Sequence, residues 1–306
     1  MTTRAIIHVL TGPTAVGKTE WALAWAERHQ AEIVSCDSLL VYRGMEIGTA
    51  KPSAAERGRV PHHLIDVADV REGFDVQRYV REARTAIDDI VRRGRGVLVV
   101  GGSGFYLRSF FAPMSDDIDV DPALRIEISR QLAHDGLATL VADLQRLNPD
   151  GLGPLDVQNP RRVVRALERC RASGRTLREI GAAFRRRPAP FADCDVKLVR
   201  LERPGAELEE RIVHRVQTML AAGLVAEVQQ LAAAGLRENP SAARAIGYRE
   251  VLAMIDGRLR AGDLAAEIVR NTRALVKKQR TWFRTQLPPH AVVAASGAAV
   301  AEMLFA

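Results

Sequence analysis

The chain has 306 residues, 47% of them hydrophobic, enough to bury one large core or two smaller ones. A formal charge of +7 and a pI near 9.7 favour a polyanionic partner, and no run approaches the roughly 20 apolar residues needed to cross a bilayer, which excludes a membrane-spanning helix. Three cysteines, Cys36, Cys170 and Cys194, are odd in number and far apart, which fits neither a disulfide framework nor a zinc ligand set.

The amino terminus, Met-Thr-Thr-Arg, carries no export signal, so a cytoplasmic protein is expected; a monomer with no obligate protein partner is a separate expectation. Residues 5–10 are apolar and β-branched, end at Thr11-Gly12-Pro13 and precede a helical pattern over 20–29. Between them, Gly12-Pro13-Thr14-Ala15-Val16-Gly17-Lys18-Thr19 fits the phosphate-loop spacing G-x-x-x-x-G-K-[ST]. The glycines turn backbone N–H groups inward around an anion, Lys18 adds a full charge, and Thr19 offers a hydroxyl to Mg²⁺. A phosphate compound, nucleotide or otherwise, is the expected ligand.

A second apolar run, 32–36, ends at Asp37. A helix is expected over 75–93, with Val76, Tyr79, Val80, Ala83, Ile87, Ile90 and Val91 on one side. A third run, 96–100, ends at Gly101-Gly102-Ser103-Gly104. Strands alternating with helices predict an α/β fold with a parallel sheet. Nucleotide-hydrolysing phosphate-loop enzymes normally place an acid after such a strand, and 96–100 has none, which leaves Asp37 after the second run. Ligands of open α/β sheets lie beyond the carboxyl ends of the strands, so Asp37 and Ser103 are the candidate catalytic residues.

After Pro113 the pattern becomes helical, over 121–134, 137–147, 160–173 and 177–184, before a strand at 196–201 and helices at 205–222, 224–234, 248–256 and 263–286. The expected organisation is a phosphate-loop core of 1–112 and 194–306, interrupted by a helical insertion at 113–193. Ten arginines fall within 159–187 against two acids, Glu168 and Glu179. Arg161, Arg165 and Arg169 share one helical face, as do Arg270, Arg273, Lys277, Arg280 and Arg284, with Lys278, Trp282 and Phe283 nearby. Cations interleaved with aromatics suit nucleic acid, although charge runs are often only a solvated surface.

These residues resemble the tRNA dimethylallyltransferases (isopentenyltransferases). The resemblance rests on the loop at 12–19, Asp37-Ser38-Leu39-Leu40-Val41-Tyr42-Arg43-Gly44-Met45, Ile47-Gly48-Thr49-Ala50-Lys51-Pro52 and Pro61-His62-His63-Leu64-Ile65-Asp66. Residues 101–106, 159–168, Arg244-Ala245-Ile246-Gly247-Tyr248-Arg249 and 277–284 extend it over nearly the whole chain. The resemblance implies a P-loop NTPase-like core with a helical insertion, Mg²⁺, and the diphosphate of dimethylallyl diphosphate held at 14–19. It implies a tRNA anticodon stem-loop as partner, whose adenosine beside the anticodon is flipped into a channel.

In the family, the acid matching Asp37 accepts a proton from N6 as that nitrogen attacks the allylic carbon, and Lys18, Mg²⁺ and Arg244 stabilise the departing diphosphate. Carried over residue by residue, the tRNA contacts are Asp37, Ser38, Leu39 and Leu40; Arg161, Arg162, Val163, Val164 and Arg165; Arg244, Ala245, Ile246, Gly247, Tyr248 and Arg249. Lys277, Lys278, Gln279, Arg280, Thr281, Trp282, Phe283 and Arg284 complete the set. Ser103 stands where the family has a threonine, which keeps the hydroxyl and frees its rotamer. The chain shows no cysteine and histidine finger, which points to the bacterial type.

The residues alone leave three other readings: a small-molecule kinase with Asp37 activating a hydroxyl, a tRNA-binding protein switched by nucleotide, and an enzyme prenylating adenylate. They assign no role to Lys51, His62 or His63.

Overall fold

The computed structural model describes residues 4–114, 116, 118–295 and 303–305. Pro113–Ala189 forms one compact unit, and the segments on either side of it together form the other.

The larger unit begins with β1 (Ile6–Thr11), α1 (Lys18–Arg28), β2 (Ala31–Ser35), α2 (Ala54–Arg59), β3 (His62–His63), α3 (Val76–Arg92), β4 (Gly96–Val100) and α4 (Gly104–Arg108). The smaller unit contains α5 (Pro122–Leu147), α6 (Pro160–Ser173) and α7 (Leu177–Arg185). The chain returns through β5 (Asp195–Glu202), α8 (Gly205–Ala221), α9 (Leu224–Ala233), α10 (Pro240–Ala243), α11 (Tyr248–Ile255), α12 (Leu264–Gln286) and β6 (Ala291–Ala294).

Among the described residues the six strands are all parallel, in the order β3-β2-β4-β1-β5-β6. The central strands read as near-continuous apolar runs because helices cover both faces of the sheet. Successive side chains still part: Ile7 and Val9 enter one core with Val97 and Val99, while Leu10 and Leu98 enter the other beneath α1. Register pairs Leu10 with Val100 and Ser35 with Val100, so β1, β4 and β2 end abreast and their outgoing loops start side by side. That alignment brings together loops far apart in sequence.

On α3, Tyr79, Ala83, Ile87 and Ile90 are buried as their spacing predicts, whereas Val91, read onto the same face, is exposed. The expected helices at 121–134 and 137–147 follow one another within α5, broken at Gly136, whose φ of 78° interrupts the helical path. Ile128, Leu140, Leu144, Val163, Leu167 and Ile180 fill the core of the smaller unit. Its last residue is Ala189 rather than 193, because Phe191 is fully buried and stacks on Phe110 of the larger unit at 4.4 Å.

Among the elements named above, five short ones have no counterpart in the sequence reading. One is α2, with no buried residue but a reciprocal cap between Ser53 and Glu56; the others are α4, α10, the two-residue β3 and the four-residue β6. Each is too short to show a period.

Candidate active site

The loop from Gly12 to Gly17 depends on unusual backbone angles. Gly12 and Gly17 have φ of 152° and 105°, and Ala15, which carries a side chain, has 67°. A Cβ on Gly12 would lie 2.7 Å from the Leu201 carbonyl oxygen. Lys18 follows at the start of α1 and donates to the carbonyls of Gly12 (2.8 Å) and Pro13 (3.0 Å). Burial pushes its ammonium down to about 8; Asp37 pulls against that shift and Arg215 adds to it.

Asp37 leaves the end of β2 in a tight turn, with Oδ1 accepting the Leu39 N–H at 2.9 Å. The turn after β4 holds this segment in place. The Ser103 hydroxyl accepts the Ser38 N–H at 2.9 Å, and the Ser103 N–H donates to the Cys36 carbonyl at 3.3 Å. A Cβ on Gly101 would come within 2.0 Å of that carbonyl, so only glycine permits the approach. Ser103 therefore touches the backbone that carries Asp37. Asp37 itself faces a cavity of about 1270 Å³, whose wall also includes Thr14, Lys18, Thr19, Leu40 and Arg215 but not Ser103.

Helix α8 supplies what the sequence reading missed. Arg211, His214, Arg215 and Thr218 line the cavity. Arg211 donates to the Ala15 carbonyl at 2.8 Å, and Arg215 donates to the Thr49 carbonyl at 3.1 Å. Burial lowers the pKa of Arg215, with Asp37 opposing the shift. The signal was the basic pair spaced four apart at 211 and 215, which only the fold turns toward the loop.

The residues read as nucleic-acid contacts separate into three groups. Arg161, Arg162 and Arg165 are exposed on α6, as are Lys277, Lys278, Thr281 and Arg284 on α12. Ser38, Leu39 and Leu40 are half-buried at the cavity side of the sheet, and Arg244 and Arg249 are exposed, with Arg244 absent from the cavity wall. The others face inward. Val163 is fully buried with Val164 packed on the same core, as are Tyr248 and Phe283, while Ala245 is buried and Ile246 packs beside it. Gly247, with φ 94°, donates its N–H to Glu250. Trp282 packs on Gly104, where a Cβ would lie 2.7 Å from the ring, and Arg280 donates to the Arg203 carbonyl at 2.7 Å. Gln279 bonds to the phosphate loop.

The shared arginine faces are also less free than their spacing suggests. Arg169 pairs with Asp116, Arg270 with Glu267, Arg273 with Glu209 and Arg280 with Glu202. Lys51 is buried and donates to the Tyr42 carbonyl (2.8 Å), Glu46 (2.7 Å) and Asp66, which makes it a post for the segment after Asp37. His63 meets Glu32 at 2.7 Å, and His62 meets the Val60 carbonyl at 2.7 Å. Among the described residues no group of three or more His, Cys, Asp or Glu is arranged to hold a metal.

A family model described as IPP transferase matches residues 40–286. The chain is 63% identical over 284 residues to the tRNA dimethylallyltransferase of Opitutus terrae, covering 93% of this chain and 91% of that one. It is 42% identical over 285 residues to that of Deinococcus radiodurans, covering 92% and 90%. Among solved structures it is similar to the tRNA isopentenylpyrophosphate transferase of Bacillus halodurans, with TM-score 0.70 and 31% identity over 99% of this chain and 93% of that one.

Proposed function

The chain belongs to the IPP transferase family and transfers a dimethylallyl group to adenosine in tRNA, and from that premise we propose how its own residues perform the transfer. The observation that carries the proposal is that Asp37 and Lys18, leaving the aligned ends of β2 and β1, face one cavity. A base and an anion site that close are what substitution at an allylic diphosphate requires.

Dimethylallyl diphosphate is the donor. Its diphosphate lies in the loop at 12–19, with backbone N–H groups, Lys18 and Arg215 around it. Arg215, unlike the exposed Arg244, is a cation on the cavity wall. The adenine beside the anticodon leaves its stack and enters the cavity, since its exocyclic amine cannot be reached inside a helix. Its N6 forms a bond to C1 of the dimethylallyl group as the bond from C1 to the diphosphate oxygen breaks. The proton on N6 passes to the Asp37 carboxylate, and diphosphate carries off the electron pair. The carboxylate is suited to this step because an aromatic exocyclic amine is a weak nucleophile until its proton has an acceptor. Ser103 acts through Ser38, holding the Asp37 segment at a set height above the sheet.

Mg²⁺ suits the hard oxygen donors on this wall: the Thr19 hydroxyl would hold it together with diphosphate oxygens, and when bound it would neutralise charge on the leaving group. The exposed cations Arg161, Arg162, Arg165, Lys277, Lys278 and Arg284 attract the anticodon arm. We assign the reaction to the cytoplasm, where tRNA is modified; among the described residues no helix is long and apolar enough to cross a membrane.

The test supplies labelled dimethylallyl diphosphate, Mg²⁺ and an unmodified anticodon stem-loop, with ATP and AMP in a parallel reaction. Label should enter the RNA, and Lys18→Ala or Arg215→Ala should raise KM for the donor while leaving stem-loop binding in place. Consumption of ATP without RNA labelling would replace this reading with a kinase.

A further inference from the structure

Gln279 lies within the basic stretch of α12, yet its amide turns away from the exposed side. Its Oε1 accepts the Thr14 N–H at 2.9 Å and the Thr14 hydroxyl at 3.2 Å, and its Nε2 donates to the Gly102 carbonyl at 3.3 Å. One side-chain amide therefore bridges the phosphate loop and the turn that ends in Ser103. We propose that Gln279 is a positioning residue for transfer, holding these two loops at the separation the reaction needs. The proposal rests on the reading that the loop holds diphosphate and that the turn supports Asp37.

Where β1 and β4 end, the loops are tied directly: Gly101 donates to Leu10 at 3.2 Å, and the Thr11 hydroxyl donates to Gly101 at 2.8 Å. Beyond that point Gln279 links Thr14 to Gly102. The bridge needs an acceptor toward one loop and a donor toward the other, which a primary amide provides and a carboxylate or ammonium does not. Reach matters as well, since asparagine is one methylene shorter. The helix that carries the amide is well anchored. Val276 and Phe283 are buried, Trp282 lies on Gly104, and Arg280 bonds to the Arg203 carbonyl. Gly102 leaves room for the bridge, because a Cβ there would lie 2.9 Å from Nε2.

On one side of the bridge the loop sets where the leaving group sits. On the other, Ser103 bonds to Ser38 and so sets where Asp37 sits. An error of about 1 Å between reacting groups costs on the order of a hundredfold in rate. Losing the bridge should therefore slow chemistry at saturating substrates without weakening RNA binding.

The experiment compares wild type, Gln279→Met and Gly102→Ala in single-turnover transfer at saturating dimethylallyl diphosphate and stem-loop, with stem-loop Kd and thermal melting measured in parallel. Methionine keeps the shape and removes the hydrogen bonds, and alanine at 102 pushes on the amide from the opposite side. Both variants should lose tenfold to a hundredfold in rate, with Kd within about twofold of wild type and melting preserved. An unchanged rate, or a loss confined to stem-loop Kd, would overturn the proposal and make Gln279 an RNA contact or a bystander. Failure of wild type itself to transfer label would instead overturn the underlying reading.

Discussion

Lys18 carries its charge in a place that resists charge, and its partners in the structure are two carbonyls of its own loop. A bound anion favours the protonated form, so the affinity that Lys18 contributes is present below pH 8 and fades as pH rises through about 8 toward the raised value of the complex. Pyrophosphate binding measured without divalent cation should show that loss in wild type and not in Lys18→Arg, whose guanidinium stays charged. An identical profile in both would remove Lys18 from the anion site. Arg215 is another cation on the wall. Its replacement by alanine should weaken pyrophosphate by roughly tenfold to a hundredfold, the range of charge-assisted hydrogen bonds, and an unchanged affinity would return the role to Arg244.

The segment from Glu46 to Thr49 shows how an element far from the chemistry can support it. The buried Glu227 carboxylate on α9 accepts the N–H groups of Glu46 (3.0 Å), Ile47 (2.7 Å) and Gly48 (3.2 Å) and the Tyr248 hydroxyl (2.6 Å). Thr49, next in line, offers its carbonyl to Arg215. Tyr248→Phe removes one of four donors from a buried charge and should cost about 2 kcal/mol of stability in denaturant melts. Gly48→Ala should cost more, because its Cβ would lie 2.4 Å from the Tyr248 ring; equal stability in both variants would mean that the segment is not held there. What was legible in the sequence follows from the same contrast. The phosphate loop, the strand ending at Asp37 and the long helices are local patterns of glycine, charge and apolar period. Glu227, Arg215 and Gln279 look like surface polar residues on helices, and only contacts across 180, 166 and 265 positions give them work. In the same way β6 and α2 could not be read, being held by pairing with β5 and by one cap rather than by any pattern.

Across the whole molecule, the charge of +7 is a poor guide to where nucleic acid is met. Much of the arginine excess in the smaller unit is spent internally, with Arg169 on Asp116 and Arg171 on Asp143 and Glu127. Replacing Arg161 and Arg165 together by alanine should weaken stem-loop binding and flatten the slope of log K against log salt by about 1.5 to 2. Arg169→Ala should leave the slope alone and lower the melting temperature of the protein. The reverse pattern would move the RNA interface off the outer face of α6. The role of Asp37 as the acceptor of the N6 proton is central to the transfer, and one comparison tests it most directly. Single-turnover transfer of label from dimethylallyl diphosphate to the anticodon stem-loop is measured for wild type and Asp37→Asn, with stem-loop Kd alongside. Asp37→Asn should lose at least about a hundredfold in rate with Kd unchanged; a variant that transfers at the wild-type rate, or whose whole deficit lies in Kd, would contradict that role.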